Sequence, residues 1–149
     1  MKGLRPRRDE AGSAVVEVVW LSLLLMVPLV YLMLAVFDVQ RGAFGVSSAS
    51  RAAGRAYALA DSDADGHRRA SAAARLALED QGVATGGMEV EVTCRPEPQD
   101  CLSPGSDITV LVRTRVALPL VPAALGGGAP SFRVESVHRV PYGRYVERR

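Results

Sequence analysis

The chain has 149 residues and a mass of 15.9 kDa, which is enough for one small domain with an added segment but not for two full cores. Hydrophobic residues make up 48 % and charged residues 23 %, so the composition excludes both a disordered chain and a multi-span membrane protein. Eighteen basic and sixteen acidic side chains give a formal net charge of +2, which is too small to indicate nucleic acid as a partner.

Residues 15–37 form an apolar stretch whose one charged side chain is Glu17. At about 1.5 Å per residue, a helix of this length measures about 34 Å and crosses a hydrocarbon core of about 30 Å. Four basic residues precede the stretch within residues 1–8, whereas Arg41 is the nearest cation after it. The positive-inside rule therefore predicts a single-pass protein of the cell membrane, with a cytoplasmic N-terminus and an extracytoplasmic C-terminal part. The stretch is about twice as long as the apolar region of a secretory signal peptide, which favours a retained anchor.

A short motif, G-S-A-V-V-E from Gly12 to Glu17, stands at the start of this stretch. A glycine before a small residue, with a glutamate five positions after the glycine and a basic leader before it, resembles the processing site of type IV prepilins. Together with the single span and the small-residue segment 47–60, the motif resembles TadE-like minor pilins or pseudopilins of the tight-adherence (Flp) pilus system.

The resemblance implies a non-catalytic protein that takes part in assembly of a tight-adherence pilus or a related secretion apparatus. The partners implied are the lipid bilayer, other pilin or pseudopilin subunits, inner-membrane assembly proteins and a prepilin peptidase cutting between Gly12 and Ser13. In such a family Glu17 is the carboxylate that sets subunit register, by pairing with the new α-ammonium of a neighbouring subunit. Val18 stands where processed members often have an aromatic residue, so an uncut anchor is the alternative to cleavage. The alternative function is a signal-anchored structural or ligand-binding protein of the cell envelope, unrelated to pili.

The helix is expected to continue beyond the membrane, which divides the chain into three parts. These are a basic cytoplasmic leader (1–12), a transmembrane helix with a helical extension (13–60) and a small extracytoplasmic domain (61–149). Small residues recur every four positions in the extension, in two sets: Gly45, Ala49 and Ala53, and Ala52, Ala56 and Ala60. Such a stripe allows another backbone to approach closely, either within the same domain or from another subunit.

The acidic segment 61–66 (D-S-D-A-D-G) reproduces the first half of an EF-hand calcium loop. The glutamate that closes such a loop is replaced by Ala72, and Arg69 adds a repulsive charge. A solvated acidic turn that caps the next helix, at about 67–81, is therefore favoured. Three carboxylates make up the weak calcium candidate: Asp61, Asp63 and Asp65.

The remaining sequence alternates apolar and polar residues over 88–94, 107–118 and 132–140, which predicts three strands. The resulting fold class is α+β, a pilin-like domain with one further helix and an antiparallel sheet. The residues expected to face inward are Val90, Val92, Cys94, Ile108, Val110, Val112, Val116, Phe132, Val134 and Val140.

Cys94 and Cys101 flank a proline-rich turn and are predicted to form a structural disulfide in an oxidising compartment. Closing a loop of about eight residues contributes about 2–3 kcal/mol to stability. The spacing does not match a C-x-x-C redox pair, and no second ligand pair is spaced for zinc. The sequence contains no catalytic motif around His67 or His138, so we expect neither an enzyme nor a cofactor.

Overall fold

The computed structural model describes residues 11–117 and 131–144, without the side chains of residues 11–13. Two helices are followed by three strands, and the layout is the predicted α+β arrangement with a long N-terminal helix. The elements in chain order are α1 (Ala11–Ala58), α2 (Asp63–Asp80), β1 (Glu89–Arg95), β2 (Asp107–Ala117) and β3 (Ser131–Pro141).

The strands form one antiparallel sheet in the order β1-β2-β3. One face packs against the helices, and its most buried residues come from the central strand, because Ile108, Val110 and Val112 are fully buried. The expected inward positions therefore hold along β2. Phe132 is the exception: it shares this face but is 53 % exposed, because it lies at the end of the sheet opposite Val116.

Helix α1 has 48 residues and a length of about 72 Å, and it contains Pro28 without ending there. Its N-terminal half contacts no other part of the described structure closely enough to bury a side chain between residues 14 and 40. Its C-terminal half enters the core, where Val46, Ala53 and Tyr57 are at most 1 % exposed. One continuous helix is thus bare in its first half and packed in its second.

Small residues allow the packed half of α1 to lie close to both the sheet and α2. A Cβ atom added at Gly54 would stand 2.7 Å from Cγ2 of Val140 in β3. On another side of the helix, a Cβ added at Gly45 would stand 3.1 Å from Val83 and 3.3 Å from Leu78. The stripe formed by Gly45, Ala49 and Ala53 therefore packs within the protein's own domain.

Helix α2 begins at a side-chain cap and lies on α1 through its small residues. The Ser62 hydroxyl accepts a hydrogen bond from the Asp65 backbone N–H at 3.3 Å, which satisfies one of the free donors at the helix start. The buried face repeats every four residues and consists of Gly66, Ala70, Ala74 and Leu78. The helix starts four residues before the expected position, because the acidic residues form its first turn.

The predicted disulfide joins Cys94 and Cys101, whose Cα atoms are 5.3 Å apart. Both cysteines are buried, with exposed fractions of 3 % and 6 %, and they belong to the core. The bond closes the loop that follows β1. A domain with so small a core gains much of its stability from such a constraint.

The close approach at Gly54 predicts that Gly54→Leu destabilises the domain by about 1–3 kcal/mol, because the added side chain meets Val140. The free energy of local opening, measured by hydrogen exchange of the β2 amides in the detergent-solubilised full chain, reports this cost. Arg51→Leu adds the same side chain at an exposed position of the same helix and should change stability by less than about 0.5 kcal/mol. Equal losses in the two variants would contradict the packing described.

Replacing both Cys94 and Cys101 by alanine should cost about 2–3 kcal/mol, since the unfolded chain regains the entropy of an open loop. The same exchange measurement applies, and a thiol reductant serves as the matched control. The reductant should lower the stability of the wild-type chain to that of the double variant and leave the variant unchanged. A reductant-insensitive wild-type chain would be inconsistent with this role.

Candidate functional site: the bare half of the first helix

The first half of α1 exposes an apolar surface along its whole length. Its large aliphatic and aromatic side chains between residues 15 and 37 include Leu34, 42 % exposed, and Trp20, 67 % exposed. A contiguous apolar surface of this extent needs cover from lipid or protein. Within the described residues, α1 is the one helix that is long and apolar enough to cross a membrane, a property that it shares with signal sequences.

Glu17 is an exposed carboxylate within this apolar surface. It lies two residues inside the stretch, about 3 Å along the helix from its start. A carboxylate at the bilayer centre costs up to about 3 kcal/mol, and less near an edge. No ion pair of Glu17 is present among residues 11–117 and 131–144. The carboxylate is therefore available to a cation from outside the described part of the chain.

Gly12 and Ser13 belong to the first turn of α1. Residues four apart on a helix are neighbours on one face, so Ser13 and Glu17 lie one turn apart on the same side. The residues of the predicted processing site and the predicted register carboxylate are thus brought together by the helix itself.

The three aspartates of the calcium candidate have other roles in the structure. Asp63 accepts a hydrogen bond from the Tyr57 hydroxyl at 3.0 Å, and Asp65 pairs with Arg68 at 2.9 Å and with Arg69. Asp61 lies 3.7 Å from Arg69. In the part of the chain that the structure describes, no group of three or more His, Cys, Asp or Glu residues is placed to hold a metal ion. Within the segment Ser62 caps α2, as predicted, whereas Asp63 and Asp65 belong to the first turn of the helix and not to a separate acidic turn.

Tyr57 connects the two helices. Its burial raises the pKa of its hydroxyl well above the ordinary value, and the hydrogen bond and negative charge of Asp63 raise it further. The ring packs on Gly66 of α2 and meets His67 edge-on, with 5.2 Å between ring centroids. The other histidine, His138, is half-buried on β3 beside Gly54. Both histidines therefore lie in packing contacts.

The outer face of the sheet carries a charge network that the sequence analysis missed. The Arg113 guanidinium lies 3.6 Å from the carboxylates of Glu89 and Glu91 on β1 and 4.0 Å from that of Glu135 on β3. All three carboxylates are exposed, so each pair contributes little alone. In the sequence, the polar residues that alternate with apolar ones along each strand indicate a charged outer face. Which of these residues pair depends on the register between the strands.

No family model matches the chain, and no curated protein or solved structure is significantly similar to it. The likeness to TadE-like pilins consequently remains a prediction that depends on the motif at 12–17 and the span that follows.

Proposed function

We propose that the protein is a membrane-anchored, non-catalytic minor pilin or pseudopilin of the TadE-like type. It takes part in assembly of a tight-adherence pilus or a related secretion apparatus. The observation that carries this proposal is Glu17: an exposed carboxylate one helical turn after Ser13, on a bare apolar helix that runs without interruption into a folded domain.

The bare half of α1 supports a membrane anchor because nothing else in the described structure covers it. By the positive-inside rule, the basic residues before it favour a cytoplasmic N-terminus and an α+β domain outside. An extracytoplasmic domain also agrees with a buried disulfide, because such bonds persist in oxidising compartments.

Hydrolysis of the bond between Gly12 and Ser13 by a prepilin peptidase gives the mature chain. Water adds across the peptide bond, so that the Gly12 carbonyl becomes a carboxylate at the end of the leader and the Ser13 nitrogen becomes an α-ammonium on the mature protein. An ammonium and a carboxylate attract each other strongly in a low-dielectric environment. Glu17 of one subunit pairs with the ammonium of Ser13 on its neighbour, which offsets the cost of placing both charges in the membrane.

The unbroken helix turns this pairing into a positioning device. Glu17 and Gly54 are 37 residues apart on one helix, which fixes their separation at about 55 Å. Because Gly54 packs against Val140, the sheet moves with the helix. The axial register of Glu17 therefore also sets the height of the domain above the membrane.

Membrane-extracted protein from the native host should begin at Ser13, as measured by intact mass and N-terminal analysis. Gly12→Val should keep the leader on, because the resemblance to prepilins implies a peptidase that cuts after a glycine. Gly3→Val, which makes the same change within the leader, should be processed normally. If the wild-type chain keeps Met1, Ser13 has no α-ammonium to pair with Glu17. That result would favour an anchored envelope protein unrelated to pili.

Glu17→Ala should insert into the membrane as well as the wild-type chain. It should be incorporated into the pilus assembly about 10- to 150-fold less, since a charge-assisted pair worth about 1.5–3 kcal/mol is lost. Insertion is measured by resistance to alkaline extraction, and incorporation by cross-linking to assembly proteins and by surface piliation. Ser22→Ala removes a polar group from the same span and should leave both unchanged. Normal piliation with Glu17→Ala would refute the role given to Glu17.

A further inference from the structure

The sheet has one end close to the point where α1 leaves its apolar stretch. A Cβ atom added at Gly42 would meet the side chains of Val116 on β2 and Val134 on β3, so these strand ends lie level with Gly42. Gly42 follows Phe37 by five residues, or about 7.5 Å along the helix. The headgroup layer on each side of a bilayer is about 5–8 Å thick. This end of the sheet therefore lies at headgroup level when α1 spans the membrane.

Two arginines face each other across the strands at this end. Arg115 on β2 stands directly opposite Arg133 on β3, and both are exposed. Like charges placed opposite each other destabilise a sheet. In the described part of the chain neither has a carboxylate within 4.0 Å, whereas Arg113, two residues earlier, has three. The connecting residues 118–130 contain no acidic residue either.

Grooves on both sides of Arg115 bring further basic groups together. One groove, of about 270 Å³, lies between α1 and the sheet end and is lined by Arg41 and Asp38 as well as Arg115. The second, of about 170 Å³, is lined by Arg133, Arg115, Arg113 and Glu89. Asp38 is 3.9 Å from Arg41, and Glu89 is engaged by Arg113, so the excess positive charge belongs to Arg115 and Arg133.

We propose that Arg115 and Arg133, termed the basic rim, bind the phosphate groups of anionic phospholipids in the bilayer that holds α1; Arg41 lines the groove beside them. The inference depends on the anchor put forward under the proposed function and adds a lipid site to it. Guanidinium groups bind phosphate oxygens through paired N–H donors. Phe132, exposed at the same level, offers an apolar side chain to the lipid boundary.

The position of the basic rim favours a lipid over a soluble anion. A phosphate in the headgroup layer is held at the height of the rim by the bilayer itself, and several headgroups are available at once. An anionic surface attracts each nearby arginine enough to shift binding about fivefold. The site would hold the domain upright on the membrane before it is incorporated into an assembly.

The other end of the same sheet face supplies a matched control. Arg95 on β1 stands opposite Asp107, and Arg139 on β3 stands opposite Thr109, so this pair lies at the end of the sheet remote from Gly42. Arg95→Gln with Arg139→Gln removes two positive charges, as Arg115→Gln with Arg133→Gln does. The two double variants differ in distance from the membrane.

The test uses the full chain with Trp20→Phe and Phe132→Trp, so that the one tryptophan reports on the rim. The protein is reconstituted in vesicles of phosphatidylcholine, alone or with about one lipid in three replaced by phosphatidylglycerol, and a nitroxide carried on a headgroup quenches the tryptophan. Quenching should be stronger in the anionic vesicles. Arg115→Gln with Arg133→Gln should lower the ratio of docked to undocked domain about twenty-fivefold, whereas the control pair should leave it unchanged.

Flotation of the same samples separates the two proposals. A chain that does not float with either vesicle refutes the anchor and, with it, the lipid site. If the chain floats but its tryptophan is quenched equally in both kinds of vesicle, the lipid site alone is refuted. The same conclusion follows if the two double variants lose quenching equally. Inorganic phosphate at constant ionic strength should not compete; selective release by it would assign the rim to a free anion instead. Hydrogen exchange of the β2 amides should show no loss of stability in the rim variant, because its removal relieves a like-charge pair.

Discussion

One unbroken helix, α1, serves both as an exposed apolar segment and as part of the domain core, and the rest of the structure depends on this. The first half of α1 exposes large apolar side chains and is stable only where water is excluded, whereas the second half needs small side chains to approach the sheet. No linker separates the halves, so a residue's position along the helix sets its height in the whole molecule. Gly42 is the first buried residue of α1 after the exposed apolar stretch.

The choice of small residues explains why the domain needs a covalent constraint. Glycine and alanine bring backbones close together but bury little apolar area each. The large buried side chains are few, with Tyr57, Leu78 and Ile108 the bulkiest among the described residues. The Cys94–Cys101 bond reduces the entropy of the unfolded chain and so supplies stability that this core lacks. The close packing of α1 limits the apolar area that the domain buries, and the disulfide compensates for the stability lost in this way.

The parts of the fold that depend on local periodicity could be predicted from the sequence. The strands and the disulfide follow from alternation and from cysteines around a proline-rich turn. The predicted start of α2, at about residue 67, is wrong by four residues. The acidic segment has the composition of a loop, yet Ser62 caps the helix there. Whether the stripe at Gly45 faces its own domain or another subunit could not be decided, since periodicity defines a face and not its partner. The opposition of Arg115 and Arg133 requires the register of β2 and β3, which no local pattern encodes.

Glu17 and the Arg115–Arg133 pair lie at opposite ends of the span and cannot pair with each other. Glu17 and Gly42, which is level with the basic rim, are 25 residues apart on a rigid helix, or about 37 Å. At that distance the two charges cannot form an ion pair, which requires the charged atoms to lie within about 4 Å of each other. The proposed function assigns the Glu17 carboxylate to a cation of a neighbouring subunit, and the proposed lipid site assigns the arginines to anions at the membrane surface. Under these two proposals a subunit α-ammonium would balance the carboxylate at one side of the bilayer, and lipid phosphates would balance the arginines at the other.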